Sequence, residues 1–443
     1  MTRVLALDLG TSSVRAQVYD GDAESCGGAG PQPYESKQGL ADTVLLLDAA
    51  RSVIEETLHE FGPVEAIGCS AFWHSLLALD EREQPLTPVL TWRDVRSAPY
   101  AEQLRERLDH AAVHARTGCF LHPSYWPAKL AWLRAEEAET FHRARRFVSF
   151  PDYLLLRLTG ELRASLSQAS ATGLYGRGGW DEELLELLGI ESERLAPVSD
   201  EQVGDWFPPL GDGACSNVGA GCVTPERAAL MLGTSGALRV IRPHDERPPR
   251  PGLFLYRLDE SRTVEGGSLS DGGNLYAWLE RTLRLPDEPQ LSARAPDAHG
   301  LTFLTLLGGE RSPGWDPRAS GVLAGLTFGT TPLDVLQAAL EGVAYRFAEI
   351  LDLMPEVSEI VATGGALDAS PEWTQILADV LGRPILRGVA EGSVRGAAVV
   401  TLERLGVSPP PPPLGDAFLP RQERTEAYRL GRERQRNLYS GVT

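Results

Sequence analysis

The chain has 443 residues, more than one ordinary core accommodates, and its 42% hydrophobic content with a mean hydropathy of -0.17 suits a globular protein of two or three domains. A formal net charge of -19 argues against nucleic acid as a general partner and against adhesion to an anionic membrane surface, while leaving room for a local cationic pocket. The cysteines at 26, 69, 119, 215 and 222 are odd in number and lack metal-site spacing, so neither a disulfide framework nor zinc is expected, and reduced cytoplasm is the expected compartment.

Residues 4–8 form an apolar run and residues 14–18 a second, separated by the corner Gly10-Thr11-Ser12-Ser13, which reads as a β-hairpin. No signal peptide precedes it, and no apolar run approaches a membrane span. Residues 21–39 are polar and glycine-rich, a loop or a degraded strand pair. An amphipathic helix is expected over 41–61, then strands over 64–70, 76–80 and near Val89, with a turn at Gln84-Pro85. The charged stretch 97–117 reads as one helix and 129–138 as a second, with Trp132 and Leu133 on its inner face. Pro151 stands near the start of a helix that ends at Thr159-Gly160, and 181–188 is a short helix closed by Gly189.

Between residues 190 and 210 proline, glycine and acidic residues accumulate and periodicity fades, so the expected division is 1–208 and 209–443. The second half then repeats the first. Leu232-Gly233-Thr234-Ser235 restates Leu9-Gly10-Thr11-Ser12, again between apolar runs, 228–232 and 237–241. Strands near 254–258 and over 359–362 and helices over 273–283, 372–381 and 393–405 follow the same logic. Residues 332–354 carry Leu336, Leu340, Val343, Phe347 and Leu351 at helical spacing, a core stripe. Five prolines at 409–413 make a stiff spacer before a charged C-terminal helix.

A corner of glycine, threonine and serine offers unencumbered N–H groups and hydroxyls to a phosphate oxygen. For one copy, ordinary turn chemistry explains such a corner; two copies in equivalent settings favour a clamp on a polyphosphate. A P-loop is excluded, because its lysine is missing and a strand follows where a helix should, and a dinucleotide fingerprint fails on the same ground.

Residues 8–15, 67–80, 91–96, 117–132, 169–174, 211–219, 232–236, 309–325 and 362–382 resemble, in order, the motifs of the FGGY carbohydrate kinases of the actin-like ATPase superfamily. The resemblance implies an α/β fold of two actin-like (RNase H-like) domains, each a mixed β-sheet flanked by helices, with an inter-domain catalytic cleft. It further implies ATP and Mg²⁺, a small-molecule sugar or sugar acid as substrate, and a monomer or homodimer.

Phosphoryl transfer needs charge neutralised, an acceptor hydroxyl aligned and its proton removed. Asp8 ends its strand beside a phosphate corner, where a carboxylate is repelled unless a cation intervenes, so it is assigned to Mg²⁺; the second copy has Met231 at that place. A turn-capping aspartate is the bland reading. Asp212, between Gly211 and Gly213, matches the family's catalytic aspartate and is expected to be the general base. For the sugar the family pattern points to Phe72, Trp73 and His74, to Trp92, Arg93 and Asp94, and to His122 and Tyr125; an Arg93–Asp94 ion pair and a core role for His74 are the structural alternatives. For the nucleotide it points to Gly10, Thr11, Ser12, Ser13 and Arg15, to Gly233, Thr234 and Ser235, and to Gly308, Gly309, Gly364, Gly365, Ala366 and Ser370.

Two departures matter. The commoner family pattern has Gly-Gln-Met-His where this chain has Ala71-Phe72-Trp73-His74, and with His122-Pro123 this looks more like the gluconate kinases than the xylulose kinases. A sugar acid would suit nearby Arg93, Arg96 or Lys129, so gluconate is the expected substrate, with xylulose or another pentulose or polyol as the alternative. The segment between Asp200 and Asp212 is also shorter than the family's usual pattern, which bears on hinge and activity. From other classes, a silent actin-like binding protein would be free to lose Asp8 or Asp212, and both are kept; a chaperone-type ATPase would need a peptide-binding domain for which the chain has no room.

Overall fold

In the computed structural model, which describes residues 2–245, 247–286 and 289–442, two mixed sheets share one plan. The first runs Leu210–Gly211, Ala66–Ala71, Val4–Leu9, Ser13–Tyr19, Ser25–Pro33. Val4–Leu9 turns back antiparallel into Ser13–Tyr19 and pairs in parallel with Ala66–Ala71 on its other side. The second sheet has seven strands, and at its centre Arg227–Leu232 turns back into Gly236–Pro243 while pairing in parallel with Glu359–Thr363. The repeat in the sequence is thus a repeat of topology. Every residue of Val4–Leu9 and of Ala66–Ala71 is buried, as a central strand covered on both faces requires.

Three local expectations change. Residues 25–33 form a full edge strand along Ser13–Tyr19, with two register irregularities. Only Ala29 of that strand is buried, so it carries no apolar alternation to read. Glycine is required within it, since a Cβ on Gly28 would lie 2.0 Å from the Ala16 carbonyl oxygen. The stretch 97–117 is two helices, Ala98–Arg107 and His110–Thr117, because the Asp109 carboxylate accepts the N–H groups of Ala111 and Ala112 and starts the second. The next helix spans Trp126–Glu136, beginning earlier than expected because Pro127 suits its first turn.

The long helix Pro332–Leu351 starts at a capping box between Thr331 and Asp334, and its predicted stripe from Leu336 to Leu351 is buried against the second sheet. Two other helices join the halves. Asp212–Gly219 leaves the edge of the first sheet directly after Leu210 and Gly211, which pair with Ser70 and Ala71 there although numbered with the expected second unit. Gly392–Arg404 packs across it, backbone on backbone: a Cβ on Gly219 would meet the Gly392 carbonyl oxygen at 1.8 Å, and one on Gly396 the Cys215 oxygen at 1.8 Å. No helix among the described residues is long and apolar enough to cross a membrane. Met1 and Thr443, the outer limits of the expected units, lie outside the described residues.

Candidate functional site

The two Gly-Thr-Ser corners close in the same way, Gly10 N–H donating to the Ser13 carbonyl and Gly233 N–H to that of Ser235, each at 3.0 Å. Around them lie two cavities. A smaller one, of about 180 Å³, is lined by Thr11, Thr234 and Ser235 of the corners, by Asp212, and by Trp73, His74, Trp92 and Arg93. A larger one, of about 720 Å³, is lined by Gly233, Thr234, Gly273, Asn274, Gly365, Ala366 and Ser370. Thr234 belongs to both walls, so the cavities meet at the second corner.

Asp212 opens its helix, where the N-terminal dipole favours a negative charge, and its Oδ1 accepts the Gly213 N–H at 2.7 Å. Burial pushes its carboxyl up to about 6, the Arg239 guanidinium opposing and the Asp8 charge adding to the rise. Such a group is largely ionised at neutral pH and still a competent proton acceptor. Its flanking glycines have a specific cause. A Cβ on Gly211 would lie 1.8 Å from the Trp73 indole and one on Gly213 2.4 Å from it, so both glycines admit that ring against the backbone. Trp73 is held by its Nε1–H, which donates to the Ser167 carbonyl at 3.1 Å.

Asp8 lies beneath the first corner and is not part of either cavity wall. Ser70 Oγ donates to its Oδ1 at 2.9 Å, and Arg15 Nε stands 3.7 Å from its Oδ2. Burial raises its carboxyl above the ordinary range, against the pull of Ser70 and Arg15. Arg15 in turn donates through Nη1 to Glu391 Oε1 at 2.5 Å, leaving its buried Nε without a hydrogen-bond partner. Gln17 donates to the other Glu391 oxygen at 2.6 Å.

His74 Nδ1 is 2.7 Å from the Ala171 carbonyl, which can only accept, so Nδ1 carries the proton. Burial and the nearby Arg311 hold the imidazole well below its usual range, and a neutral ring then presents a bare Nε2 as acceptor. His74 therefore lines the cavity as well as bonding to its wall.

Four of the expected sugar residues stand elsewhere. Phe72 is turned into the first core with Ile67, Cys69 and Ala71, stacked on Phe150 at 6.3 Å. Asp94 pairs with Arg96, not Arg93: Nε and Nη2 donate to its two oxygens at 2.9 and 2.8 Å. His122 and Tyr125 form a layer behind the wall, His122 edge-on to Trp315 at 5.5 Å and Tyr125 bonded through its hydroxyl to that of Tyr256 at 2.6 Å. Arg96 lies over Trp132, and Lys129 is buried, donating to the carbonyls of His74 and Leu90 at 2.6 and 3.3 Å. Burial brings the Lys129 ammonium down to about 7. Neither cation is free for a ligand.

On the nucleotide side, Gly308 lies against the Asp271 carboxylate, which accepts the N–H groups of Leu307 and Gly308, and neither Gly308 nor Gly309 lines the two main cavities. Gly10, Ser12 and Ser13 shape the first corner. Gly364 sits at φ 110° against the second, where a Cβ would meet the Leu232 oxygen at 2.5 Å.

The small cavity also holds residues that the sequence reading missed: Arg239, Tyr256 and Arg311. Arg239 was within reach, since Ala237 and Arg239 share one face of the Gly236–Pro243 strand. Arg311 lies in an irregular segment and has no periodicity to announce it.

The model of the FGGY family of carbohydrate kinases, N-terminal domain, matches residues 3–211, and that of the C-terminal domain residues 228–402. The gluconokinase of Bacillus subtilis (strain 168) is 30% identical over 91% of this chain and 88% of its own length. The xylulose kinase of Escherichia coli (strain K12) is 28% identical over 98% of both chains. Among solved structures, a xylulose kinase and a gluconate kinase from Lactobacillus acidophilus superpose with TM-scores of 0.90 and 0.89, each 25% identical and covering 100% of this chain and 98% of theirs. With two sheets of one plan, two phosphate-type corners and a cavity on each side of the second, the chain belongs to the FGGY family of carbohydrate kinases, phosphotransferases acting on sugar hydroxyls.

Proposed function

We propose that the protein transfers the γ-phosphoryl group of ATP to a hydroxyl of gluconate. The observation that carries this reading is the joint wall at Thr234: the two cavities share it, so a phosphoryl donor in the large one and a hydroxyl acceptor in the small one would meet at the corner, with Asp212 on the small side. Gly233, Gly365, Ala366 and Ser370 hold the nucleoside end, and the N–H and hydroxyl groups of residues 10–13 and 233–235 hold the phosphates. Trp73 and Trp92 pack on the sugar's C–H faces, and His74 Nε2 accepts a hydroxyl proton. Asp212 accepts the proton of the attacking hydroxyl as its oxygen bonds to the γ-phosphorus and the bond to the β-phosphate oxygen breaks.

The acceptor-side wall supports a sugar acid. Arg93, Arg239 and Arg311 face the cavity beside one carboxylate, Asp212, in a chain whose overall charge is -19. Asp8 and Ser70 offer hard oxygen donors beneath a phosphate corner, which suits Mg²⁺, while the unpartnered Arg15 Nε beside them suits a phosphate oxygen rather than the ion. Bound there, the ion would neutralise phosphate charge, and Asp8 would hold it. The five cysteines are free, which supports a cytoplasmic location, and a monomer or homodimer fits the reading.

Sugar-dependent ADP release with D-gluconate, D-xylulose and glycerol tests the proposal. Turnover is expected with gluconate; turnover with xylulose alone overturns the substrate, and ATP binding without sugar-dependent release overturns the enzyme.

A further inference from the structure

The three arginines of the small cavity are not equivalent. Arg239 is buried, donates through Nε to Asn217 Oδ1 at 3.1 Å, and has its charge answered by Asp212, although its Nη2 has no hydrogen-bond partner. Arg93 is exposed and lies over Trp92 at 5.0 Å. Arg311 makes no ion pair among the described residues, and its buried Nε has no hydrogen-bond partner. Its guanidinium lies near two indoles, 5.4 Å from the Trp92 ring centre and 5.8 Å from that of Trp315.

One of these two rings is firmly held. Trp315 is fully buried, donates through Nε1 to the Gly252 carbonyl at 3.0 Å, and stacks on Phe120 at 4.2 Å. A guanidinium beside aromatic rings keeps its charge and is partly shielded from water, and its edge donors are left for a planar, bidentate anion. The cavity wall it joins contains no carboxylate except Asp212, which the base role needs.

We propose that Arg311 is the specificity-determining residue that receives the carboxylate of a sugar acid, while Asp212 takes the hydroxyl at the substrate's other end. The inference rests on the gluconate reading above. Trp92 comes from the first half of the chain and Trp315 from the second, so the receptor is complete only when the two halves face each other.

The test compares two ligands that differ only at that end. Binding of D-gluconate and of its neutral amide, D-gluconamide, is measured by calorimetry for the wild-type protein, Arg311→Gln and Arg311→Lys, with wild-type turnover of gluconate and xylulose alongside. The wild type should prefer gluconate by at least about tenfold, as expected for charge-assisted hydrogen bonds. Arg311→Gln should abolish the preference, and Arg311→Lys, which keeps the charge without the fork, should retain part of it. The ratio within each variant cancels general damage to folding. A preference undiminished in Arg311→Gln overturns the inference while the gluconate reading stands; wild-type turnover of xylulose without gluconate overturns both.

Discussion

The two corners are copies in backbone and opposites in charge. In the first hairpin Asp8 faces Arg15 across the ladder and Ser70 on the parallel side; at the same place in the second, Met231 faces Ala237 and Thr363. The first corner is also longer, 10–13 against 233–235. One cradle therefore has a carboxylate and a guanidinium beneath it, and the other an apolar floor that opens into the small cavity. Two corners of one backbone plan thus differ in charge at one register position, and the proposed mechanism gives each a separate task.

The largest effect should come from the group opposite the apolar corner. Asp212→Asn is expected to lower kcat by about 10²–10⁴-fold with little change in the KM for the sugar, since only the proton acceptor is lost. It should also stabilise the fold. A folded pKa raised from 3.8 to about 6 means that the native state binds the extra proton between those values, so stability falls as pH rises through the window. Removing the charge recovers up to about 3 kcal/mol above pH 6, read as a higher Tm at pH 8. A variant that is both inactive and less stable at pH 8 would contradict the account of Asp212 as a carboxyl raised by burial.

Making the corners alike is the next test. Asp8→Met copies the second floor into the first and should cut turnover by about a hundredfold or more, with weakened dependence on added Mg²⁺. An unaltered Mg²⁺ titration would remove Asp8 from the metal. For the wild type, kcat/KM should fall tenfold per pH unit below about 6, as the Asp212 carboxylate is protonated, and level off above it. The smallest effect concerns support. Tyr34 donates its hydroxyl to the Gly10 carbonyl at 2.6 Å, bracing the first corner alone, and Tyr34→Phe should cost about 1 kcal/mol in chemical denaturation while raising the KM for ATP only slightly.

Legibility in the sequence followed the reach of each signal. The hairpins, the Leu336 to Leu351 stripe and the Asp181 and Gly189 helix boundaries depend on neighbours along the chain, and period or capping chemistry exposes them. The Ser25–Pro33 strand lacked such a signal because only Ala29 of it is buried, and Asp109 split one expected helix through a cap that a charged stretch conceals. Motif resemblance brought Trp73, His74, Trp92, Arg93 and Asp212 to one cavity. It could not say that Phe72 turns inward or that Asp94 is taken by Arg96, because those outcomes depend on Phe150 and Trp132, which lie far along the chain. Arg311 depends on two tryptophans more than two hundred residues apart, and nothing local marks such a setting.

The helix crossing at Gly219 and Gly396 sets a manufacturing tolerance for the whole machine. The two helices meet through main-chain atoms, so no rotamer can take up slack between the element that carries Asp212 and the one that begins beside Glu391 and Arg15. Side-chain contacts elsewhere can drift in size and be compensated by neighbours, whereas this spacing is set by van der Waals contact between two backbones. Changes to the small cavity or to surface loops leave this joint untouched, so the distance from Asp212 to the first corner is gauged by main-chain contact alone.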